Sequence, residues 1–211
     1  MPLKFPLPII YPITSGKTSP EYILRLVRAA VDAEIPLFQI REKEFSARVL
    51  FELVARAAEL TRGSKTRLLV NDRSDIARAA GADGVHLTTH SLPVDVVRKT
   101  CGEDFVIGVS THSLDEALLA RSAGADFVVF GPVFETESKR VYGPPQGLDK
   151  LREVTRELGE FAVVAIGGIT LENAGDCFRA GASGVAAIRL LSDAENILKK
   201  FEILSKTYAT K

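Results

Sequence analysis

The residues of this chain that could do chemistry follow short apolar runs. The run LFQIRE, together with the residue that follows it, contains Gln39, Arg41 and Lys43. Because side chains alternate along a strand, these three side chains are expected on the same side. Arginine binds phosphate oxygens through paired hydrogen bonds and lysine adds a point charge, so the pattern predicts a cradle for a phosphate or diphosphate. The alternative interpretation is a surface salt-bridge run with Glu42 and Glu44.

An amide and a carboxylate follow the run RLLV. Asp72 offers an oxygen ligand of the kind that Mg²⁺ prefers, and the amide of Asn71 can orient a phosphate or another ligand group. The alternative is a helix N-cap, because Asn and Asp are both favoured at that position.

A third polar group ends the run FVIGVST. Ser110 is interpreted as a substrate-binding residue, and His112 as a residue that exchanges protons near neutral pH. The alternative for His112 is a histidine that only forms a hydrogen bond within a loop.

A long loop follows the run FVVFGPVF. It spans residues 135–146 and is rich in glycine and proline, and loops of this length in compact domains are often lids. Lys139 lies near its tip, where it can close on an anion or remain solvated. The sequence leaves the mobility of this loop open.

Glycines end the next run, AVVAIGGI. Gly167 and Gly168 allow backbone N–H groups to approach an anion, and Ile188 and Arg189 end the last run, GVAAIRLL. Loops after the seventh and eighth strands form the usual phosphate site of eight-fold barrels, so these four residues predict a second anion site.

The elements that must position these residues alternate regularly along the chain. Short apolar runs alternate with amphipathic helical stretches, which is typical of parallel strands joined by helical crossovers. The eight runs are 9–15, 37–42, 67–72, 84–89, 105–111, 127–134, 162–169 and 184–191. We expect an α/β fold, a (β/α)₈ TIM barrel that forms one domain over residues 1–211. An open doubly wound sheet is the alternative, but no GxGxxG turn follows the first run.

One joint between helix and strand recurs three times. The segments are AAGADGVHL at 79–87, SAGADFVVF at 122–130 and RAGASGVAAI at 179–188. In each, a glycine can take the left-handed conformation that ends a helix before the chain enters a buried strand. The recurrence favours repeated βα units.

Composition narrows the classes of partner. The chain has 27 Lys plus Arg and 27 Asp plus Glu, so no net field favours nucleic acid or an anionic membrane. An N-terminal apolar stretch broken by prolines suits neither a signal peptide nor a membrane span, and we expect a cytoplasmic protein. Cys101 and Cys177 fit no metal or redox spacing and are interpreted as buried thiols.

The ordered set QIREK, NDR, GVHL, GVSTHSLDEA, DFVVFGPVFETESK, AIGGI and AGASGVAA resembles the thiamine-phosphate synthase superfamily, which also contains the thiazole tautomerases. The resemblance spans about residues 9–200. In the synthases, a pyrimidine diphosphate loses pyrophosphate and the nitrogen of a thiazole phosphate attacks the resulting cation. The resemblance therefore implies an enzyme of thiamine biosynthesis that acts on small phosphorylated substrates.

The resemblance also implies a role for each matched residue. Gln39 contacts the pyrimidine, and Asp72 binds Mg²⁺. The diphosphate is held by Arg41, Lys43, Asn71 and Lys139. The thiazole phosphate is held by Gly167, Gly168 and the backbone near Ile188.

Two positions depart from the synthase pattern. Ser91 stands where the synthases have an aspartate that is a second Mg²⁺ ligand, and a neutral hydroxyl is a poor substitute for a carboxylate on a hard cation. Arg189 stands near a position that is usually serine, where it either strengthens phosphate binding or occupies part of the pocket.

The segment THSLPV resembles the tautomerases, which isomerise a carboxythiazole phosphate without a metal and in which His112 would transfer the proton. A diphosphate cradle favours the synthase, because a tautomerase has little use for one. A non-catalytic barrel that binds a thiazole or thiamine phosphate is a third hypothesis. Association into homo-oligomers is compatible with the sequence but is not determined by it.

Overall fold

The structure, a computed structural model, describes residues 5–136 and 144–210, which contain eight parallel strands alternating with eight helices. The strands are β1 (Ile9–Pro12), β2 (Leu37–Ile40), β3 (Arg67–Asn71), β4 (Gly84–Leu87), β5 (Val106–Thr111), β6 (Phe127–Phe130), β7 (Ala162–Ile166) and β8 (Gly184–Ala187). The helices are α1 (Pro20–Asp32), α2 (Ala47–Thr61), α3 (Ser74–Ala79), α4 (Val94–Cys101), α5 (Leu114–Ser122), α6 (Gly147–Leu158), α7 (Ala174–Arg179) and α8 (Ile197–Ala209).

The sheet closes into a barrel. From β2 to β8, each strand pairs in parallel with the next strand in the chain, and β8 pairs with β1. The remaining seam, between β1 and β2, is closed by a parallel bridge between Ile13 and Gln39 and by a 3.0 Å hydrogen bond from Thr14 N to Gln39 O. The predicted (β/α)₈ barrel is therefore confirmed, and the open-sheet alternative is wrong.

Two apolar layers explain why the strands are continuous hydrophobic segments in the sequence. One face of each strand packs against the helices, and the other fills the barrel interior with residues such as Ile9, Leu69, Phe127 and Val164. Since both faces of a barrel strand are buried, polar residues are costly in the strands unless they find hydrogen-bond partners.

The helices begin where the sequence provides caps. Ser19, Ser46 and Ser113 precede α1, α2 and α5, and each side-chain oxygen accepts a hydrogen bond from a backbone N–H of the first turn. Each helix then buries an apolar stripe against the sheet, which for α1 contains Ile23, Leu26, Val27 and Ala30. This packing holds the strand ends at fixed positions around the mouth.

The recurring joint has a common structure at the base of the barrel. Asp83 accepts a 2.8 Å hydrogen bond from Leu68 N, and Asp126 accepts a 2.7 Å bond from Ile107 N. Ser183 accepts a 3.4 Å bond from Val163 N. In each joint, the residue before an even-numbered strand therefore binds the backbone of the preceding strand, which ties neighbouring βα units together.

Most predicted runs extend past the ends of the strands. The run 127–134 contains β6 only as far as Phe130, and 184–191 contains β8 only as far as Ala187. After β6, Pro132 has no N–H to donate to a ladder. The residues beyond the strands form the loops of the mouth, where the candidate site residues lie.

Two further predictions concern the whole chain. Cys101 and Cys177 are buried free thiols, as expected. No helix within residues 5–136 and 144–210 has both the length and the apolar character that a membrane span needs.

Candidate active site at the mouth of the barrel

A chain of polar side chains crosses the barrel interior just below the mouth. Gln39 Nε2 donates to Tyr11 Oη at 3.2 Å, and Tyr11 Oη lies 3.5 Å from His86 Nδ1. His86 Nε2 lies 2.9 Å from Ser110 Oγ. These four residues, from β2, β1, β4 and β5, are called the interior chain below. It places Gln39 and Ser110 on one connected polar network.

Burial decides the charge of the groups in this network. His86 is 3% exposed, and desolvation, together with the positive charge of Arg41, lowers its pKa to about 3. Desolvation also raises the pKa of Tyr11 well above its ordinary value, against the smaller effect of the Gln39 hydrogen bond. At neutral pH the interior chain is therefore uncharged and contains an imidazole and a phenol.

Arg41 is half-buried just past the end of β2. Its backbone N–H donates to Thr14 Oγ1 at 2.8 Å, and its positive charge contributes to the lowered pKa of His86. Lys43 is exposed and lies in a turn. The expected alternation of Gln39, Arg41 and Lys43 does not extend to Lys43, because β2 ends at Ile40.

The alternative interpretation of this segment as a surface salt-bridge run is wrong. Glu42 is only 4% exposed, and its Oε1 accepts a 3.2 Å hydrogen bond from Gly16 N. Arg41 and Lys43 form no ion pair with Glu42 or Glu44, all four of which the structure describes. The two cations therefore keep their charge available to an anion at the mouth.

Asn71 and Asp72 lie at the adjacent strand end. Asp72 has a left-handed backbone, with φ at 64°, and its N–H donates to His86 O at 2.9 Å. The N-cap alternative is wrong, because α3 begins after Arg73, which forms no side-chain cap. Arg73 instead pairs with Asp75 through two hydrogen bonds of 2.8 and 2.6 Å. The exposed Asp72 carboxylate is thus not used as the helix cap.

Ser91 lies beside Asp72 but faces its own loop. A cavity of about 380 Å³ is lined by residues that include Asp72, His90 and Ser91. Ser91 Oγ accepts a 2.8 Å hydrogen bond from Thr88 N and lies 3.2 Å from Thr88 Oγ1. In the part of the chain that the structure describes, no three His, Cys, Asp or Glu side chains form a group able to hold a metal.

His112 lies just past the end of β5. Its backbone N–H donates to Glu116 Oε2 at 2.6 Å, and its Nδ1 lies 3.3 Å from the same oxygen. The side chain is 39% exposed, so this contact orients the imidazole at the start of α5. The histidine of the barrel interior is His86, which the sequence reasoning did not select.

The predicted phosphate site lies on the opposite part of the mouth, where β7 pairs with β8. Gly167 and Gly168 have φ of 98° and 66°. A Cβ at Gly167 would lie 2.5 Å from Pro132 Cα, and one at Gly168 would lie 2.8 Å from Glu135 O. The glycines therefore also serve packing, because only glycine lets the loop after β6 lie this close.

Ile188 and Arg189 follow β8 directly. Ile188 packs against the apolar interior, and Arg189 is exposed, with its carbonyl oxygen accepting a 2.9 Å hydrogen bond from Ser192 Oγ. The pairing of β7 with β8 places the glycine pair and the start of the β8 loop after adjacent strand ends. Lys139 lies outside the described residues.

Comparisons with known proteins agree with this geometry. The family model described as thiamine monophosphate synthase matches residues 10–191. A thiamine-phosphate synthase of Moorella thermoacetica is 42% identical over 174 residues, which are 82% of each chain. A thiamine-phosphate synthase of Roseiflexus castenholzii is 40% identical over 190 residues, which are 89% of this chain and 83% of the relative.

A solved structure gives the same result. The thiamine phosphate pyrophosphorylase of Pyrococcus furiosus superimposes with a TM-score of 0.80 at 32% identity, over 96% of both chains. The family model covers strands β2 to β8 and all of β1 except its first residue. The chain therefore belongs to the thiamine monophosphate synthase family.

Proposed function

We propose that this protein is a thiamine-phosphate synthase. It couples hydroxymethylpyrimidine diphosphate with thiazole phosphate and releases pyrophosphate. The observation that carries the proposal is that Arg41 lies beside the neutral interior chain, so that a cation and a hydrogen-bonding surface meet at one mouth. The named relatives favour this activity over the tautomerase alternative and over a non-catalytic binding protein.

The proposed reaction divides into loss of a leaving group and attack by a nucleophile. The bond between the pyrimidine methylene carbon and the diphosphate oxygen breaks, and its electron pair leaves with pyrophosphate. The lone pair of the thiazole nitrogen then forms a bond to the methylene carbon. No proton is removed in either step, so the task of the protein is to stabilise charge and to align the two rings.

The cations of the mouth bind the leaving group. Arg41 and Lys43 offset the charge that develops on pyrophosphate, and Asn71 donates an amide hydrogen bond to it. We assign Lys139 to the same cradle from its place in the motif alone. Preorganised charge of this kind acts most strongly where water is excluded, as it is near the buried His86.

The donor set fits a Mg²⁺ ion that is shared with the substrate. Mg²⁺ is commonly held by one or two carboxylates together with substrate phosphates, and Asp72 supplies one exposed carboxylate. Ser91 is turned toward Thr88 and contributes no charge. When bound, the ion would neutralise charge on the departing pyrophosphate.

The two rings are assigned to different parts of the mouth. Gln39 and Ser110 bind the pyrimidine from the interior chain. Gly167, Gly168 and Ile188 hold the thiazole phosphate through backbone groups, and Arg189 adds charge at its edge. We also propose a cytoplasmic location, because a reducing compartment keeps Cys101 and Cys177 as thiols.

The test is thiamine phosphate formation by the purified protein given both substrates and Mg²⁺, with and without a chelator. We expect product that disappears with the chelator. If no product forms, while carboxythiazole phosphate is isomerised, the protein is a tautomerase and the proposal is overturned. Binding of thiazole phosphate without turnover of either substrate would support the non-catalytic alternative instead.

A further inference from the structure

We propose that Tyr11 and His86 are positioning residues that give the interior chain one direction, so that Ser110 presents its hydroxyl proton to the ligand. Neither residue needs to touch the reacting atoms. Their effect is to decide which atom of Ser110 faces the mouth, a lone pair or a hydrogen. This inference goes beyond the proposed function, because it assigns an orientation to the hydrogen bonds rather than a reaction.

The direction follows from counting donors along the interior chain. Gln39 Nε2 donates to Tyr11 Oη, so the phenol oxygen is an acceptor on that side. Tyr11 is fully buried, and within the described residues its Oη contacts only Gln39 Nε2, a donor, and His86 Nδ1 at 3.5 Å, so its own O–H proton goes to Nδ1. A neutral imidazole has one N–H, and when Nδ1 accepts, that hydrogen lies on Nε2.

The contact between His86 and Ser110 determines whether the serine hydroxyl accepts or donates a hydrogen bond there. His86 Nε2 lies 2.9 Å from Ser110 Oγ, so an Nε2–H donates to the serine oxygen. Ser110 is half-buried in the second half of β5, and its own proton remains for a partner in the mouth. With the opposite tautomer, Ser110 would have to donate to His86 and could only accept from a ligand.

Packing holds the His86 imidazole in the plane that the hydrogen bonds of the interior chain require. The rings of Tyr11 and His86 each lie against Phe127, with centroids 5.6 and 6.2 Å apart. Gly108 leaves the necessary space, because a Cβ there would clash with the Phe127 ring and lie 2.9 Å from His86 Nδ1. The imidazole therefore cannot turn over without displacing its neighbours.

The consequence for ligand choice rests on the proposed function. A hydroxyl donor at Ser110 fits a substrate atom with a free lone pair, such as a ring nitrogen of the aminopyrimidine. An N–H group at the same place could use only the second lone pair of Ser110 Oγ and would leave the hydroxyl proton without an acceptor on the ligand. The interior chain thus favours a heteroaromatic ring that accepts a hydrogen bond on the β5 side.

The direct test is the tautomer of His86 in the ligand-free protein, read from long-range ¹H–¹⁵N correlation spectra near neutral pH. The chain has three histidines, and the His86 signals are those lost in His86→Gln. We expect a protonated Nε2 and an unprotonated Nδ1. A protonated Nδ1 overturns the inference. This result does not depend on the reaction, so it is separate from failure of the proposed function.

Substitutions test the effect on binding. His86→Gln places an amide nitrogen near the position of Nε2 and can still donate to Ser110, whereas His86→Asn places it near Nδ1. We expect KM for the pyrimidine diphosphate to rise about tenfold in His86→Asn, the value of one hydrogen bond, and to recover most of the way in His86→Gln. Equal losses in two variants with the same melting temperature would contradict the inference.

Tyr11→Phe removes the proton that fixes the tautomer and keeps the ring. We expect His86 to show a mixture of tautomers and KM to rise about fivefold, with kcat less affected. The control is Tyr208→Phe, which removes a hydroxyl on α8 and keeps the ring contact with Phe178. A single Nε2–H tautomer in Tyr11→Phe would show that Tyr11 does not set the direction.

Discussion

The base and the mouth of the barrel use polar side chains in opposite ways. At the base, Arg98 donates to Asp126, which also accepts from Ile107 N, and further Arg98 N–H groups bind the carbonyls of Gly102, Phe105 and Gly124. At the mouth, Arg41 and Lys43 lie beside carboxylates with which they do not pair. The charges of Arg98 and Asp126 at the base are paired internally, whereas Arg41 and Lys43 at the mouth are not paired with the neighbouring carboxylates.

This difference shows how one chain separates stability from function. A buried ion pair with every hydrogen-bond position filled is tolerated in a packed region, but it offers nothing to a substrate. Charges without an internal partner are costly for stability and are therefore confined to the solvent-accessible end. Variants at the base should change unfolding, and variants at the mouth should change turnover.

The largest effect is expected at the base. Asp126→Ala leaves the Arg98 guanidinium buried without its carboxylate, and we expect the free energy of unfolding to fall by about 3–5 kcal/mol. The measurement is urea unfolding. Asp83→Ala is the matched control, because it also removes the acceptor of a backbone N–H, whereas Asp83 pairs with the more exposed Arg67, and it should cost less, about 1–2 kcal/mol. Equal costs would show that the buried pair is not special.

At the mouth, Arg41→Ala should act on catalysis. Removal of one preorganised group from a charged transition state costs about 100-fold in kcat, and unfolding should change little. Arg48→Ala, an exposed change on α2, is the control for the loss of an arginine. The measurement is steady-state kinetics at varied concentrations of the pyrimidine diphosphate, which gives kcat for each variant. Unchanged turnover in Arg41→Ala would remove this residue from the cradle.

Gly167→Ala tests a tightly packed part of the mouth. The new Cβ would meet Pro132, and φ of 98° is unfavourable for alanine, so we expect unfolding to become easier by about 3 kcal/mol. Gly102→Ala has a similar φ of 89° and open space around its Cβ. It should lose less, about 1–2 kcal/mol, the cost of the conformation alone, because φ of 89° with ψ of 174° is a conformation that glycine almost alone adopts. Thermal and urea unfolding of both variants separate the cost of the backbone conformation from the cost of the steric clash.

The smallest effect is expected for His112→Ala. The contact of this exposed histidine with Glu116 is worth about 1 kcal/mol at most, and thiamine phosphate formation should stay within about twofold of the unchanged protein. A large loss of turnover would instead identify His112 as a proton-transfer residue, the role that the resemblance to the tautomerases implies. Product formation under saturating substrates is the measurement.

Local patterns explain why the barrel could be predicted. The starts of most strands match the predicted runs, because buried strands are continuous apolar segments that follow a glycine or another helix-ending joint. The ends were less accurate, because residues such as Pro132 and Val133 remain apolar after the ladder stops. Apolar character reports burial, and burial continues into the loops of the mouth.

The site was predicted only in part. Gln39, which was predicted to contact the ligand, lies on the interior chain, but Tyr11 and His86 were missed, although strand alternation places His86 on the same face of β4 as Gly84. Their positions within apolar strand segments, such as GVHL for His86, gave no local signal that distinguishes a site residue from a buried strand residue. The N-cap and salt-bridge alternatives were wrong since Asp72 takes a left-handed conformation and Glu42 turns toward Gly16.

By itself, the sequence determined the alternation of strands and helices, the glycine joints and the supply of cations, since these depend on residues close together in the chain. Only the tertiary structure decided which side chains meet. Tyr11 and His86 are 75 residues apart in the chain, and their contact exists because barrel closure brings β1 and β4 to the same interior. The charge of His86 was decided there as well, because its neutral state depends on burial by strands from the whole barrel.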